Sequence, residues 1–287
     1  MRSRASLFWK SLFLTLLLLV PLGAAVGYWG MQRQQQAARA ADAAAGGLAV
    51  APGAQSTFRL LVAVQAEEPA FLLVRVDGPA RTVTLCGLPG GTAVAAPTGE
   101  TTLAACYLAA GPARAAQLLG DTLGYRPDAY FAATADGFAA LAGEDAAARL
   151  DLSALLDAGQ RRALGCGSDP VAALTAQTAE PFVQSAARAG LSDAALAELR
   201  AAAWAAFLRQ NPALLSSLPG AARRLSGRTL TDLDAKRLLK LENTMTYLAG
   251  QTATAVEYTG MPGTGGPATA EYALGAQSRD AIRALLG

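Results

Sequence analysis

Glu67 and Glu68 stand side by side between two apolar runs, where a pair of carboxylates can share a cation. A solvated turn is the plainer explanation of the pair. Gly87-Leu88-Pro89-Gly90-Gly91-Thr92 follows a β-branched run and has the glycines of a phosphate-cradling turn. It lacks the lysine of a P-loop, so a loop closing a hairpin is the plainer reading. Arginines are scattered, at Arg75, Arg81, Arg114, Arg126, Arg149, Arg161, Arg162 and Arg200, with no cluster in sequence. Cys86 and Cys106 can pair as a disulfide outside the cell and leave Cys166 free, or all three can be isolated thiols. The chain contains no histidine. That excludes Ser-His and Cys-His nucleophile pairs, an imidazole base and His-bearing zinc sites. Three cysteines are too few for an all-cysteine zinc cage. A net charge of +2 over 287 residues gives no nucleic-acid surface.

The elements that must position these groups begin with a membrane segment. No charged residue lies between Lys10 and Arg33, and the span contains Leu12-Phe13-Leu14-Thr15-Leu16-Leu17-Leu18-Leu19-Val20. A helix across it is roughly 33 Å long, enough for a bilayer core. Arg2, Arg4 and Lys10 precede it, and Tyr28 and Trp29 close its far end as interface aromatics do. The expected order is a cytoplasmic tail over 1–10, a transmembrane helix over 11–31, an extracytoplasmic stalk over 32–56 and a folded domain over 57–287. The bulk of a single-pass protein then lies outside the cell membrane. A cleaved signal peptide ending near Gly23-Ala24-Ala25 is the alternative.

In the domain, Phe58–Val64, Phe71–Val76 and Thr82–Cys86 read as strands, the last two joined by an Asp77-Gly78-Pro79 turn. Helices are expected over Pro112–Leu123 with Gly124 as C-cap, over Asp136–Leu141, over Asp193–Arg209 behind Ser192, and from Pro212. Thr231-Asp232-Leu233-Asp234 resembles a capping box with Asp in place of Glu. Leu238, Leu241, Met245 and Leu248 then share one helical face, read as core. Ala129–Ala133 and Thr252–Tyr258 are further strands, and Ser278–Leu286 a last helix. Alternating strands and helices predict a single α/β domain, a mixed sheet flanked by helices. Its apolar strands and Ala/Leu helices read as an ordinary core.

This order of elements resembles the LytR-CpsA-Psr family of cell-envelope proteins from about Phe58 to the C-terminus. The resemblance is carried by Phe58–Val64, Phe71–Asp77 and Thr82–Thr92, then Leu103-Ala104-Ala105-Cys106-Tyr107 through Gly111. It continues through Tyr130-Phe131 with Asp136-Gly137-Phe138, Leu199–Pro212 and Thr229-Leu230-Thr231-Asp232-Leu233. It implies an α/β/α fold and transfer of a glycopolymer from a polyprenyl-pyrophosphate carrier to peptidoglycan. In that family arginines hold the pyrophosphate, aspartates bind Mg²⁺ or assist the acceptor hydroxyl, and the carrier's tail lies between sheet and helices.

The family's reactive positions are altered in this chain. Gly90 and Gly91 stand at the Arg-Asp of a Pro-Arg-Asp-Thr motif, and Pro69 stands at an earlier Asp, beside Glu68. Gln65-Ala66-Glu67 replaces an Arg-bearing loop, and Cys166-Gly167-Ser168 a Tyr-x-Arg region. In the Arg-x-x-Arg-Gln helix Arg200 is retained, while Ala203 and Trp204 replace the rest. A charge-assisted hydrogen bond contributes about 1.5–3 kcal/mol. One arginine at a phosphoryl-transfer centre is worth about 10³–10⁵ in rate. The expectation is therefore a membrane-anchored, non-catalytic or altered protein that binds an envelope component or a partner protein. The alternative is a divergent phosphotransferase. The candidates carried forward are Glu68 and Arg200 for catalysis, Arg75, Arg114 and Arg126 for ligand binding, and Glu67 and Glu68 for Mg²⁺ if the protein is active. Expected partners are the membrane and a polyprenyl-linked glycopolymer or peptidoglycan, with no nucleic acid.

Overall fold

β-Branched and aromatic residues crowd the start of the domain, and strands form there. The computed structural model describes residues 52–286, apart from positions 54, 98, 144, 145, 167, 168 and 266–271. The tail, the 11–31 helix and nearly all of the 32–56 stalk lie outside the described residues. Among the described residues no helix is long and apolar enough to cross a membrane.

β1 (Thr57–Gln65), β2 (Ala70–Asp77) and β3 (Thr82–Leu88) form an antiparallel meander, with Val62 opposite Leu72 and Arg75 opposite Thr84. The Asp77-Gly78-Pro79 turn closes as expected. Asp77 Oδ1 accepts from the Ala80 amide at 2.9 Å, and Gly78 O from Arg81 N at 3.3 Å. β4 (Ala93–Ala96) and β5 (Gly99–Thr102) make a small hairpin that the sequence did not signal. α1 (Leu103–Leu123) begins nine residues before the expected Pro112. Thr102 caps it through its side chain, Gly111 (φ 78°) with Pro112 kinks it, and Gly124 ends it in the left-handed conformation at φ 68°.

β6 (Ala129–Thr134) pairs parallel with β1, and α2 (Ala135–Ala142) follows directly. β7 (Ala147–Asp151) and β8 (Val171–Thr175) form a separate hairpin around the short α3 (Ala158–Ala163). Next come α4 (Ala176–Arg188), α5 (Asp193–Gln210) with Ser192 as N-cap, and α6 (Ala213–Arg224) after Pro212. β9 (Thr229–Thr231), α7 (Ala235–Ala249), β10 (Ala255–Gly260) and α8 (Ala276–Leu286) complete the order. The expected capping box at Thr231 is corrected. Thr231 belongs to β9 and donates to Tyr130 O at 2.6 Å, while Asp234 caps α7 by accepting from Arg237 N at 2.7 Å. The carboxylate nearest the helix wins that competition.

The central six-stranded sheet runs β10-β3-β2-β1-β6-β9 and is mixed, so the expected mixed α/β domain is what the chain forms. On one face Leu61, Phe71, Leu73 and Leu88 pack against Leu103 and Leu119 of α1 and Ile282 of α8. On the other, Leu60, Leu72 and Leu85 meet Ala201 and Ala205 of α5 and Leu241 and Leu248 of α7. The outer side of α5, through Leu199, Ala202 and Phe207, packs on α4 and the β7–β8 hairpin. A helix covered on two sides is apolar nearly all round, which explains its run of alanines. Alanine also lets α5 approach the sheet. At Gly87 a Cβ would stand 2.1 Å from the Ala197 carbonyl oxygen.

Candidate functional site

The second face of the sheet does not fill completely. Val62 and Val74 lie on the two central strands, where burial should be deepest, yet both are only half-buried. Phe131, Phe138, Trp204 and Leu218 are half-buried too, and all six surround one cavity of about 170 Å³. Sheet valines and leucines make its floor, and α2, α5, α6 and α7 supply its walls. Leu238, Leu241 and Met245, expected as plain core, also line it. Leu241, Met245 and Leu248 are buried in the core as expected, and the core and the cavity share this wall. Four helices of unequal length and a twisted sheet do not close on each other, and a gap is left between them. Cavities near 150 Å³ with Leu, Ile and Phe walls stay dry and take up small apolar molecules.

No charged side chain belongs to this wall among the described residues. One wall residue, Trp204, is hydrogen-bonded to a buried ion pair. Arg200 and Trp204 are one turn apart on α5 and both reach Glu180 of α4. Arg200 Nε donates to Glu180 Oε2 at 2.9 Å, and Trp204 Nε1 to Oε1 at 3.0 Å. Glu180 is 2% exposed and Arg200 8%. The Nη groups of Arg200 make no hydrogen bond among the described residues. Sequence reasoning singled out Arg200 but missed Glu180. The four-residue spacing of Arg200 and Trp204 was available as a signal; their partner on another helix was not.

The remaining candidates fall elsewhere. Arg75 is on the α1 face, where it pairs with Asp77 at 2.5 Å and donates to Leu285 O at 2.9 Å. Arg114 of α1 donates to Gln117 at 2.7 Å. Arg126 is exposed and reaches Asp121 at 3.3 Å. Arg149 is exposed on β7. Glu67 and Glu68 are exposed in the β1–β2 loop. That loop does meet the glycine turn, since a Cβ at Gly90 would lie 3.2 Å from Pro69 O. The turn itself is not open to an anion at Gly91, whose amide donates to Asp193 Oδ2 of α5 at 2.8 Å. No group of three or more acidic or cysteine side chains among the described residues is placed to hold a metal.

All three cysteines are free. Burial, with the Glu198 carboxylate nearby, pushes the Cys86 thiol up to about 12. Burial also raises Cys106, partly offset by Arg114, and raises the Tyr107 phenol, partly offset by Gln65.

No sequence-family profile matches the chain, and no protein of curated function matches it. Solved structures do match. TagT of B. subtilis shares 15% identity over 80% of this chain and 89% of that one, with a TM-score of 0.54. TagT bound to LIIa-WTA gives 14%, the same coverage and a TM-score of 0.57. TagV of B. subtilis gives 15%, 80% and 95%, and 0.56. A Eubacterium siraeum protein named for transcription regulation gives 14%, 83% and 94%, and 0.64. At these identities the likeness is one of fold, and that fold is the LytR-CpsA-Psr fold.

Proposed function

We propose that this protein is a membrane-anchored, extracytoplasmic cell-envelope protein that holds the hydrocarbon chain of a lipid-linked envelope component without carrying out ordinary phosphoryl transfer. The observation that carries the reading is the ring of half-buried apolar side chains around one hollow between sheet and helices. Apolar surface left unfilled forgoes about 25 cal/mol per Å², and a chain laid along it recovers that term. The glycopolymer carried by a structure of the same fold, TagT bound to LIIa-WTA, supports a lipid-linked glycopolymer as the occupant. The dispersal of Arg75, Arg114 and Arg126 away from the cavity, with Gly90 and Gly91 at the turn, supports binding without transfer.

The test is purification of the full chain from membranes, followed by organic extraction. A long-chain lipid recovered near one per protein, and lost in Val74→Phe, supports the reading. An empty protein that takes up neither an isoprenoid alcohol nor its diphosphate overturns it.

The transferase reading is favoured by one observation, the presence of Arg200 one helical turn from the wall residue Trp204. It requires Mg²⁺-dependent release of phosphate from a polyprenyl pyrophosphate, abolished by Arg200→Ala and by Glu68→Gln. Absence of turnover in the native chain removes it.

A further inference from the structure

Charge is distributed unevenly along this domain. Arg223, Arg224, Arg228, Lys236, Arg237 and Lys240 fall within eighteen residues, with only Asp232 and Asp234 among them. The rest of the chain from position 57 on carries 13 Lys and Arg against 19 Asp and Glu. The two acids inside the run are turned to the backbone: Asp232 accepts from Tyr130 N at 2.8 Å and Asp234 from Arg237 N at 2.7 Å. A run of cations alone is ordinarily a solvated face. This one also carries apolar groups. Three large apolar side chains stand exposed among the described residues, and two of them, Leu230 at 50% and Leu239 at 51%, lie in these eighteen residues.

The fold gathers the run at one edge of the sheet. β9 is the last strand in the order, α6 leads into it and α7 leaves it. Arg223 of α6 holds Glu242 of α7 at 2.7 Å, and Arg237 donates to Asp128 O, next to β6, at 3.0 Å. Arg224, Arg228 and Lys236 are exposed and enter no ion pair among the described residues. Leu230 pairs in register with Ala132, which belongs to the α1 face, while α7 covers the other face. An approach along the edge reaches both leucines.

We propose that this edge, from Arg223 to Lys240, is a docking surface for an anionic lipid bilayer, with Leu230 and Leu239 entering the interface and the six cations lying at the headgroups. Charge complementarity selects that occupant. Cations beside exposed leucines match a surface that is anionic outside and hydrocarbon beneath, whereas an acidic protein offers no hydrocarbon layer to the leucines. The acidic remainder of the domain is repelled by the same bilayer, so the field also sets the orientation. α6 and α7 wall the cavity through Pro219, Ala222, Leu238 and Leu241, so docking brings that wall to the bilayer. Docking requires no occupant in the cavity, and its failure leaves the chain-binding reading standing.

The experiment uses the full chain with Cys166→Ser, whose remaining thiols, Cys86 and Cys106, are buried. Leu230→Cys, Leu239→Cys and Leu108→Cys each receive one fluorophore, Leu108 being the third exposed leucine, on α1. The chains are reconstituted into vesicles of phosphatidylcholine alone, or mixed equally with phosphatidylglycerol, doped with a nitroxide lipid that quenches at the interface. In anionic vesicles quenching at positions 230 and 239 is expected to exceed that at 108 by roughly threefold or more, and to fall to the level of neutral vesicles in about 0.5 M salt. Arg224→Glu, Arg228→Glu and Lys236→Glu together are expected to do the same without salt. Quenching at 108 equal to that at 239, or equal quenching in the two kinds of vesicle, overturns the proposal. A chain unquenched in both that binds polyglutamate instead assigns the edge to an acidic protein and also overturns it. Should the triple variant fail to fold, the lipid and salt dependence of the labelled chains still decides.

Discussion

Glu180 and Arg200 form a buried ion pair between α4 and α5, and such pairs are lopsided in their energetics. Breaking one by removal of a single partner strands the other charge and costs about 3–5 kcal/mol. Glu180→Ala is therefore expected to lower unfolding stability by about that amount in urea, whereas the paired change Glu180→Leu with Arg200→Met is expected to cost much less. An equal loss in both would show that packing, not charge, is what the pair supplies. Cys86 makes a second expectation. Its folded value near 12 is raised from the ordinary 9.0, so the folded state favours the neutral thiol. That contribution is complete below pH 9 and is lost as pH rises from 9 toward 12. Cys86→Ala should flatten the alkaline fall in stability over that window. At pH 8 the native protein should alkylate at the half-buried Cys166 and not at Cys86.

Among the elements, α5 is the one on which the arrangement depends. It lies against β3 at Gly87, packs on α4 with its other side, and presents Arg200 and Trp204 toward Glu180. Gly87→Ala puts a methyl into the Ala197 backbone and forces the helix off the sheet. The expected cost is about 1–3 kcal/mol, read by denaturation. A loosened α5 should also shift Trp204 fluorescence in the unliganded protein. The strands and their hairpin turn were legible in sequence because β-branched runs and Asp77-Gly78-Pro79 are local signals. The first half of α1 was not, because Leu103 to Ala110 is a short alanine-rich stretch ended by Gly111-Pro112, which reads as a break. The β7–β8 hairpin was missed for a related reason: Ala147–Asp151 and Val171–Thr175 are only five residues each and carry few β-branched side chains.

For the molecule as a whole, the cavity is the feature that sets this domain apart from a filled α/β core. Val74→Phe fills it from the sheet side. Cavity filling commonly adds about 0.5–2 kcal/mol, which for a domain of this size raises Tm by about 2–4 °C per kcal/mol. On the proposed function the variant should therefore melt higher than the unliganded native chain and fail to retain a lipid. A variant that melts lower and still carries lipid would place the chain elsewhere.

Composition and local pattern determined the class of the domain, most strand positions and several helix caps. These depend on neighbours within a few residues, which is the range over which backbone preference and hydrophobic period act. Whether Leu241 and Met245 meet other side chains or a hollow, and whether Arg200 faces an anion or a carboxylate of its own chain, was decided only when α4, α5 and α7 came together on the sheet. Packing volume and charge compensation are sums over residues distant in sequence, and no window along the chain contains them.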